Sequence, residues 1–125
     1  MKEEVKRWME KAKSDLKHAK SSLNNKDFDW AQIASQQAAE KALKAVCLYK
    51  EVGLIKVHDL TILARKVNAS EKIVENCGLL NPFYTASRYP DVEQETDKRL
   101  EETAAKDAIK AAGKVVRWCK EQIKT

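Results

Sequence analysis

DFDWAQIASQQAAEKALKAVCLYKEVG, running from Asp27 to Gly53, is the stretch on which the reading of the fold turns. It holds no Pro, and no Gly before its last residue. Asp27 or Asp29 can act as an N-cap, and Gly53 stands where a left-handed C′ residue would end a helix. Helical throughout, the stretch would measure roughly 36 Å, the span of a small domain. Ala31, Ala34, Ser35, Ala38, Ala39, Ala42 and Ala45 crowd it with short side chains. Neighbouring helices can approach such a rod on more than one side, so it reads as the central helix of a bundle. Gln36, Gln37, Glu40, Lys41 and Lys44 interrupt its surface.

The rest of the chain fits that architecture. A length of 125 residues suits one domain with its own core. Charged residues make up 34% and apolar ones 43%, with only 3 Gly and 2 Pro, a balance that favours helices over β-sandwiches or long disordered tails. Cys47, Cys77 and Cys119 form no C-x-x-C pair, and Met1 leads into KEEVKRW rather than an apolar run. Reduced thiols in a cytoplasmic protein are therefore expected. No apolar run reaches membrane-span length. The net charge of +5 is uneven. Residues 68–96 carry Lys72 and Arg88 against five carboxylates, which leaves the remainder strongly basic. A basic excess attracts RNA or phosphate ligands, and mixed signs also describe a solvated bundle surface.

Taken in order, Val5, Trp8, Met9, Ala12, Leu16, Ala19 and Leu23 recur at steps of three and four, one stripe of a first helix over Glu3 to Asn24. A short link should fold it back on the central helix as an antiparallel hairpin, with Trp8 and Trp30 anchoring the seams. Beyond Gly53 a loop leads to a short helix at about Asp59–Val67. The alternative, a strand at Leu54–Val57, has no partner strand. Asn68 to Glu71 has capping-box spacing and should open a further short helix stopped by Gly78. Leu79 to Asp91 then gathers both prolines with Phe83, Tyr84 and Tyr89. Residues before Pro are driven toward extended geometry, so part of this segment should not be helical. A last helix should run from Thr96 or Asp97 to about Lys124. One of its stripes is Leu100, Ala104, Ala108, Ala111, Val115, Trp118 and Gln122, and beside it lie Ile109, Ala112, Val116, Cys119 and Ile123. So broad an apolar face suits the core on one side and a partner subunit on the other. Gly113 would permit close approach of a neighbouring helix.

Three Gly this far apart exclude a phosphate loop, and no metal-ligand spacing appears. His18 reads as a surface residue. His58, in VHDL, reads as bordering the third helix and bonding a loop carbonyl. On the central helix Gln37, Lys41 and Lys44 share one side, and Glu40 and Lys44 are an i,i+4 pair in the favourable order. Two readings stand: a solvated face, or Glu40 reaching Arg88 and leaving Lys41 or Lys44 to meet an anion.

Ala34–Ala45 (ASQQAAEKALKA), then His58-Asp-Leu60, then Arg88-Tyr-Pro-Asp91, then a long terminal helix, together resemble the HEPN domain, named for higher eukaryotes and prokaryotes nucleotide-binding. The resemblance runs from about residue 4 to 122. It implies an all-α, up-and-down bundle of four to five helices, commonly a homodimer. It also implies, for small stand-alone prokaryotic chains, a minimal nucleotidyltransferase partner in a toxin–antitoxin-like system, and nucleotide or RNA binding. Many members are metal-independent ribonucleases, with an Arg followed four to six residues later by His. That motif is missing: Tyr-Pro-Asp-Val-Glu-Gln-Glu follows Arg88, and both histidines lie upstream. The expectation is a binding module without cofactor, whose site is Glu40, Lys41, Lys44, Arg88, Tyr89 and Asp91, with Gln37 and His58 at its edge. The alternatives are a degenerate ribonuclease using His58 near Arg88, and a purely structural dimer.

Overall fold

A computed structural model describes residues 2–53, 56–88 and 98–123, the side chains of 82–88 and 98 excepted. The described residues form five helices: α1 (Glu3–Asn24), α2 (Phe28–Tyr49), α3 (Leu60–Lys66), α4 (Glu71–Arg88) and α5 (Lys98–Gln122). None is long and apolar enough to cross a membrane.

The alanine-rich stretch is the centre of the bundle, and α2 packs against each of the other four helices. Its buried residues, among them Ala31, Ala34, Ala38, Ala39, Ala42, Leu43, Val46 and Cys47, spread over more than half of the helix circumference, leaving the side of Gln37 and Lys41 open. A helix covered over so wide an arc is the centre of a bundle. Contacts with α1 fix an antiparallel register. Lys2 pairs with Glu51, Trp8 lies under the Lys44 ammonium, and Asp15 pairs with Lys41. On α5, Ala105, Ala108, Ala111, Ala112, Val115, Val116 and Cys119 are all buried, so both expected stripes meet the core along the middle of the helix. Leu100 is exposed and lies outside it.

Several local expectations are corrected. The central helix ends at Tyr49, and its left-handed C′ residue is Glu51 (φ 58°) rather than Gly53. Val52 N–H donates to the Cys47 carbonyl at 3.0 Å and Glu51 N–H to that of Leu48 at 3.1 Å, the paired bonds of a Schellman cap. Lys26 (φ 60°) closes α1 and Asn68 (φ 58°) closes α3 in the same way. Three helices thus turn on residues with a Cβ, although the left-handed region costs L-residues roughly 1–2 kcal/mol. Glu51→Gly is expected to raise stability by up to about 1 kcal/mol, reduced by the extra freedom glycine gives the unfolded chain. The urea midpoint measures it.

Asn68 is therefore a stop for α3, and the cap of α4 is Ser70, whose Oγ accepts from Ile73 N–H at 3.4 Å. Gly78 does not end α4, which continues through Pro82 to Arg88. Pro82 lacks the donor that would bond the Gly78 carbonyl, and proline disfavours helical geometry at Asn81. Asn81 is held from outside the helix. Its Oδ1 accepts from Leu60 N–H and its Nδ2 donates to Asp59 Oδ1, each at 2.9 Å. Tertiary bonding overrides the local preference at this turn. Lys56 and Val57 are in a loop; the rest of the alternative strand, Leu54 and Ile55, lies outside the described residues. Trp8 packs on the core, but Trp30 is 59% exposed and anchors no seam among the described residues. Gly113 meets nothing within 4 Å of where a Cβ would stand, so none of the described helices approaches it closely.

Candidate functional site

Spacing of four along α2 places Gln36, Glu40 and Lys44 one above another on a single face. Glu40 is the hub. Its Oε1 accepts from Gln36 Nε2 at 3.1 Å, and its Oε2 accepts from Lys44 Nζ at 3.0 Å. His58 Nδ1 lies 3.1 Å from Oε1 and 3.3 Å from Oε2. An ionised carboxylate only accepts, so Nδ1 carries the proton in this contact. The Glu40 side chain is 14% exposed and that of His58 46% exposed. A mostly covered carboxylate therefore holds a half-open imidazole at the surface.

The position of His58 is set by α3 and α4. Asp59, the N-cap of α3, accepts from Thr61 N–H at 2.9 Å and from Thr61 Oγ1 at 2.6 Å. Asn81 of α4 clamps the same turn from the other side. The residue before this cap is His58, so the chain of contacts runs from α4 through Asn81 and Asp59 to the imidazole, and on to Glu40. The hydrogen bond from the Thr61 hydroxyl, followed by that from Asn81, holds the Asp59 carboxyl below its ordinary range, against the opposing effect of burial. A carboxylate whose folded-state pKa is depressed contributes stability above its unfolded value near 4, and loses it as pH falls through the folded value. Asp59→Ala is expected to cost about 1 kcal/mol at pH 7, in the range of N-cap losses. Urea melts at pH 7 and pH 3 should show the gap from the parent narrowing in acid.

The two lysines of the expected anion site are both engaged inside the protein. Lys44 is 8% exposed, bonds Glu40, and sits 5.8 Å from the Trp8 ring centroid. Lys41 pairs with Asp15 of α1 at 2.5 Å. Gln37 is exposed and lies on the Lys41 side, whereas the buried Gln36 is the one that meets Glu40. The expected strip of α2 is thus two strips. His58 bonds a carboxylate of α2, a partner that the reading of VHDL did not include. Arg88 is the last residue of α4, with its side chain outside the described residues, as are Tyr89 and Asp91; the expected Glu40–Arg88 pair falls there too. Sequence reasoning missed Gln36, Asp15 and Asn81. Gln36, four residues before Glu40, carried a signal. Among the described residues no group of His, Cys, Asp and Glu is placed to hold a metal ion.

With this fold and cluster in view, comparison with known proteins gives a consistent answer. Residues 5–122 match the HEPN domain family. The chain belongs to that family. It is similar to an archaeal HEPN homologue, ST0689, at 32% identity and TM-score 0.82, covering 99% of this chain and all of the other. TT1696 from Thermus thermophilus is similar at 30% identity and TM-score 0.86, covering 98% of this chain and all of the other. A HEPN domain protein from Thermotoga maritima follows at 26% identity and TM-score 0.76, over 92% and 95% of the two chains. No curated protein matches significantly.

Proposed function

We propose that this chain is a binding module for the phosphates of a nucleotide or RNA, acting as a homodimer beside a minimal nucleotidyltransferase in a toxin–antitoxin-like system. The observation that carries the reading is the His58–Glu40 pair, an open imidazole held by a covered carboxylate that is itself bonded to Gln36 and Lys44. Such an arrangement fixes the orientation of the ring without the entropy cost of ordering a loose side chain. Lys41 and Lys44 are neutralised by their own partners, so in this reading they tune the floor of the site. Phosphate then falls to His58 in its imidazolium form, in which both ring nitrogens donate, and to the segment beginning at Arg88, with Tyr89 beside it. Asp91 closes that segment, and Gln37 marks the outer edge on α2.

Titration with ATP and with a short RNA tests this. His58→Ala and Arg88→Ala are each expected to weaken binding about tenfold or more, the effect of losing one charge-assisted contact of about 1.5–3 kcal/mol. Lys41→Ala should change it less than about threefold, since its charge is already met by Asp15. Binding that is absent, or unaltered by both of the first two substitutions, removes the site. A second reading, a ribonuclease, draws on the same pair, because a carboxylate-oriented imidazole is the group a general base needs near neutral pH. It predicts RNA cleavage in EDTA that His58→Ala abolishes. Without the Arg and His motif the binding reading is preferred. A neighbouring gene for a small nucleotidyltransferase would support the partner.

A further inference from the structure

The exposed side of α5 carries Lys106, Lys110, Lys114 and Arg117. At 3.6 residues per turn these positions fall within a strip about 80° wide, at axial steps of about 6, 6 and 4.5 Å. Those steps are comparable to the distance between successive phosphates of an extended single strand. Lys106 is in a loose pair with Glu102 at 3.8 Å, both side chains largely in water, and such a pair holds a lysine only weakly.

Along the edge of this strip runs a groove of about 370 Å³ between α4 and α5. Ala104, Ala108 and Ala111 line it from α5 and Leu79 from α4, with Lys110 and Lys114 also among its lining residues. Leu79 is 64% exposed, a large apolar side chain left open by the described residues. The groove also contains Asp107. A carboxylate there repels phosphate and accepts from N–H groups, so the two halves of the surface suit different parts of a nucleotide. Backbone charge belongs on the strip, and a base belongs in the groove with an N–H edge toward Asp107.

A second copy of the chain is a poorer occupant. A two-fold interface places the same patch on both sides, which would set this basic strip against itself. We propose that the strip and groove form a track for single-stranded nucleic acid, with phosphates on Lys106, Lys110, Lys114 and Arg117 and one base on Leu79. The track shares no residue with the Glu40 cluster and goes beyond the nucleotide site proposed there.

The test is binding of a labelled single-stranded RNA of about 12 nucleotides, within the site sizes of single-strand binders, by the full chain at several salt concentrations. Four neutralised phosphates give a log–log salt slope of about −2.8, and Lys110→Gln with Lys114→Gln should bring it to about −1.4 with at least a tenfold loss of affinity. Lys13→Gln with Lys17→Gln removes equal charge from exposed positions of α1 and should leave the slope within about 0.5 of the parent. Leu79→Ser should weaken RNA about threefold or more and leave binding of inorganic polyphosphate unchanged. ATP binding, weakened in His58→Ala, should survive all three changes, so failure of either site is read separately. The proposal is overturned if the chain does not bind the RNA, if the α1 pair acts as strongly as the α5 pair, or if polyphosphate and RNA respond alike to Leu79→Ser. It is equally overturned if Leu79→Ser halves the mass in solution while the salt slope stays put, because the face then belongs to a protein contact.

Discussion

Glu40→Ala is expected to destabilise the protein by about 2–3 kcal/mol, a large share of the roughly 5–15 kcal/mol that holds a small domain together. The carboxylate accepts from Gln36, Lys44 and His58. Its removal leaves Gln36, fully covered, with a donor that water does not reach, and leaves Lys44 with the Trp8 face as its remaining partner among the described residues. An unpaired donor in such surroundings costs about 1–3 kcal/mol, and more when it is charged. Glu40→Gln keeps one acceptor and should cost roughly half as much. Pairing Glu40→Ala with His58→Ala apportions the loss. Coupling of about 1 kcal/mol or less is expected for this half-open contact, and a larger coupling for Glu40→Ala with Lys44→Met. Urea denaturation with an unchanged slope is the measurement. A cost below about 0.5 kcal/mol for Glu40→Ala would mean that the cluster is solvated in practice.

Ala42→Leu is the second substitution with a large expected effect. Ala42 is fully covered on the helix that touches all four others. Close-packed interiors give little room for added methylenes, and overpacking costs typically about 1–3 kcal/mol. The upper half of that range is expected here, because Ala38, Ala39 and Ala45 are covered as well and the new side chain has no direct way out to solvent. The midpoint of thermal unfolding should fall by about 10 °C. The matched control is Gly113→Ala, which meets nothing within 4 Å and should raise stability by about 1 kcal/mol.

The comparison between sequence and structure divides along physical lines. Burial patterns were legible: the steps of three and four on α1, the alanines of α2 and the middle of both stripes on α5 all mark faces that the bundle covers. Terminations were less so. Gly53 and Gly78 drew the helix ends toward themselves, yet the chain turns on Lys26, Glu51 and Asn68, where backbone bonds to the preceding turn outweigh a modest steric cost. Asn81, before Pro82, is pushed toward extended geometry by its own local preference, yet it holds that turn in helix through bonds to residues more than twenty positions away in sequence. The same distinction applies to the site. Glu40 and Lys44 are an i,i+4 pair, visible in any helical reading. Gln36 and Gln37 differ by about 100° around the helix, and the one signal that separates them is the spacing of four from Gln36 to Glu40. The contact from His58 to Glu40 spans a loop and depends on the clamp at Asp59, so it becomes visible only with the tertiary structure.

Three thiols sit in this core, Cys47 on α2, Cys77 on α4 and Cys119 on α5. Burial raises all three: Cys47 above its ordinary value, Cys77 to about 12, and Cys119 well above its ordinary value. The thiolate is the reactive form, so each sulfur is silent toward alkylating reagents until its helix lets water in. The molecule therefore carries three built-in clocks, one in each of three helices. If α4 detaches as a unit while α2 and α5 stay together, Cys77 will label first and the other two will follow together at the rate of global unfolding. Equal rates at all three would mean that the bundle opens only as a whole.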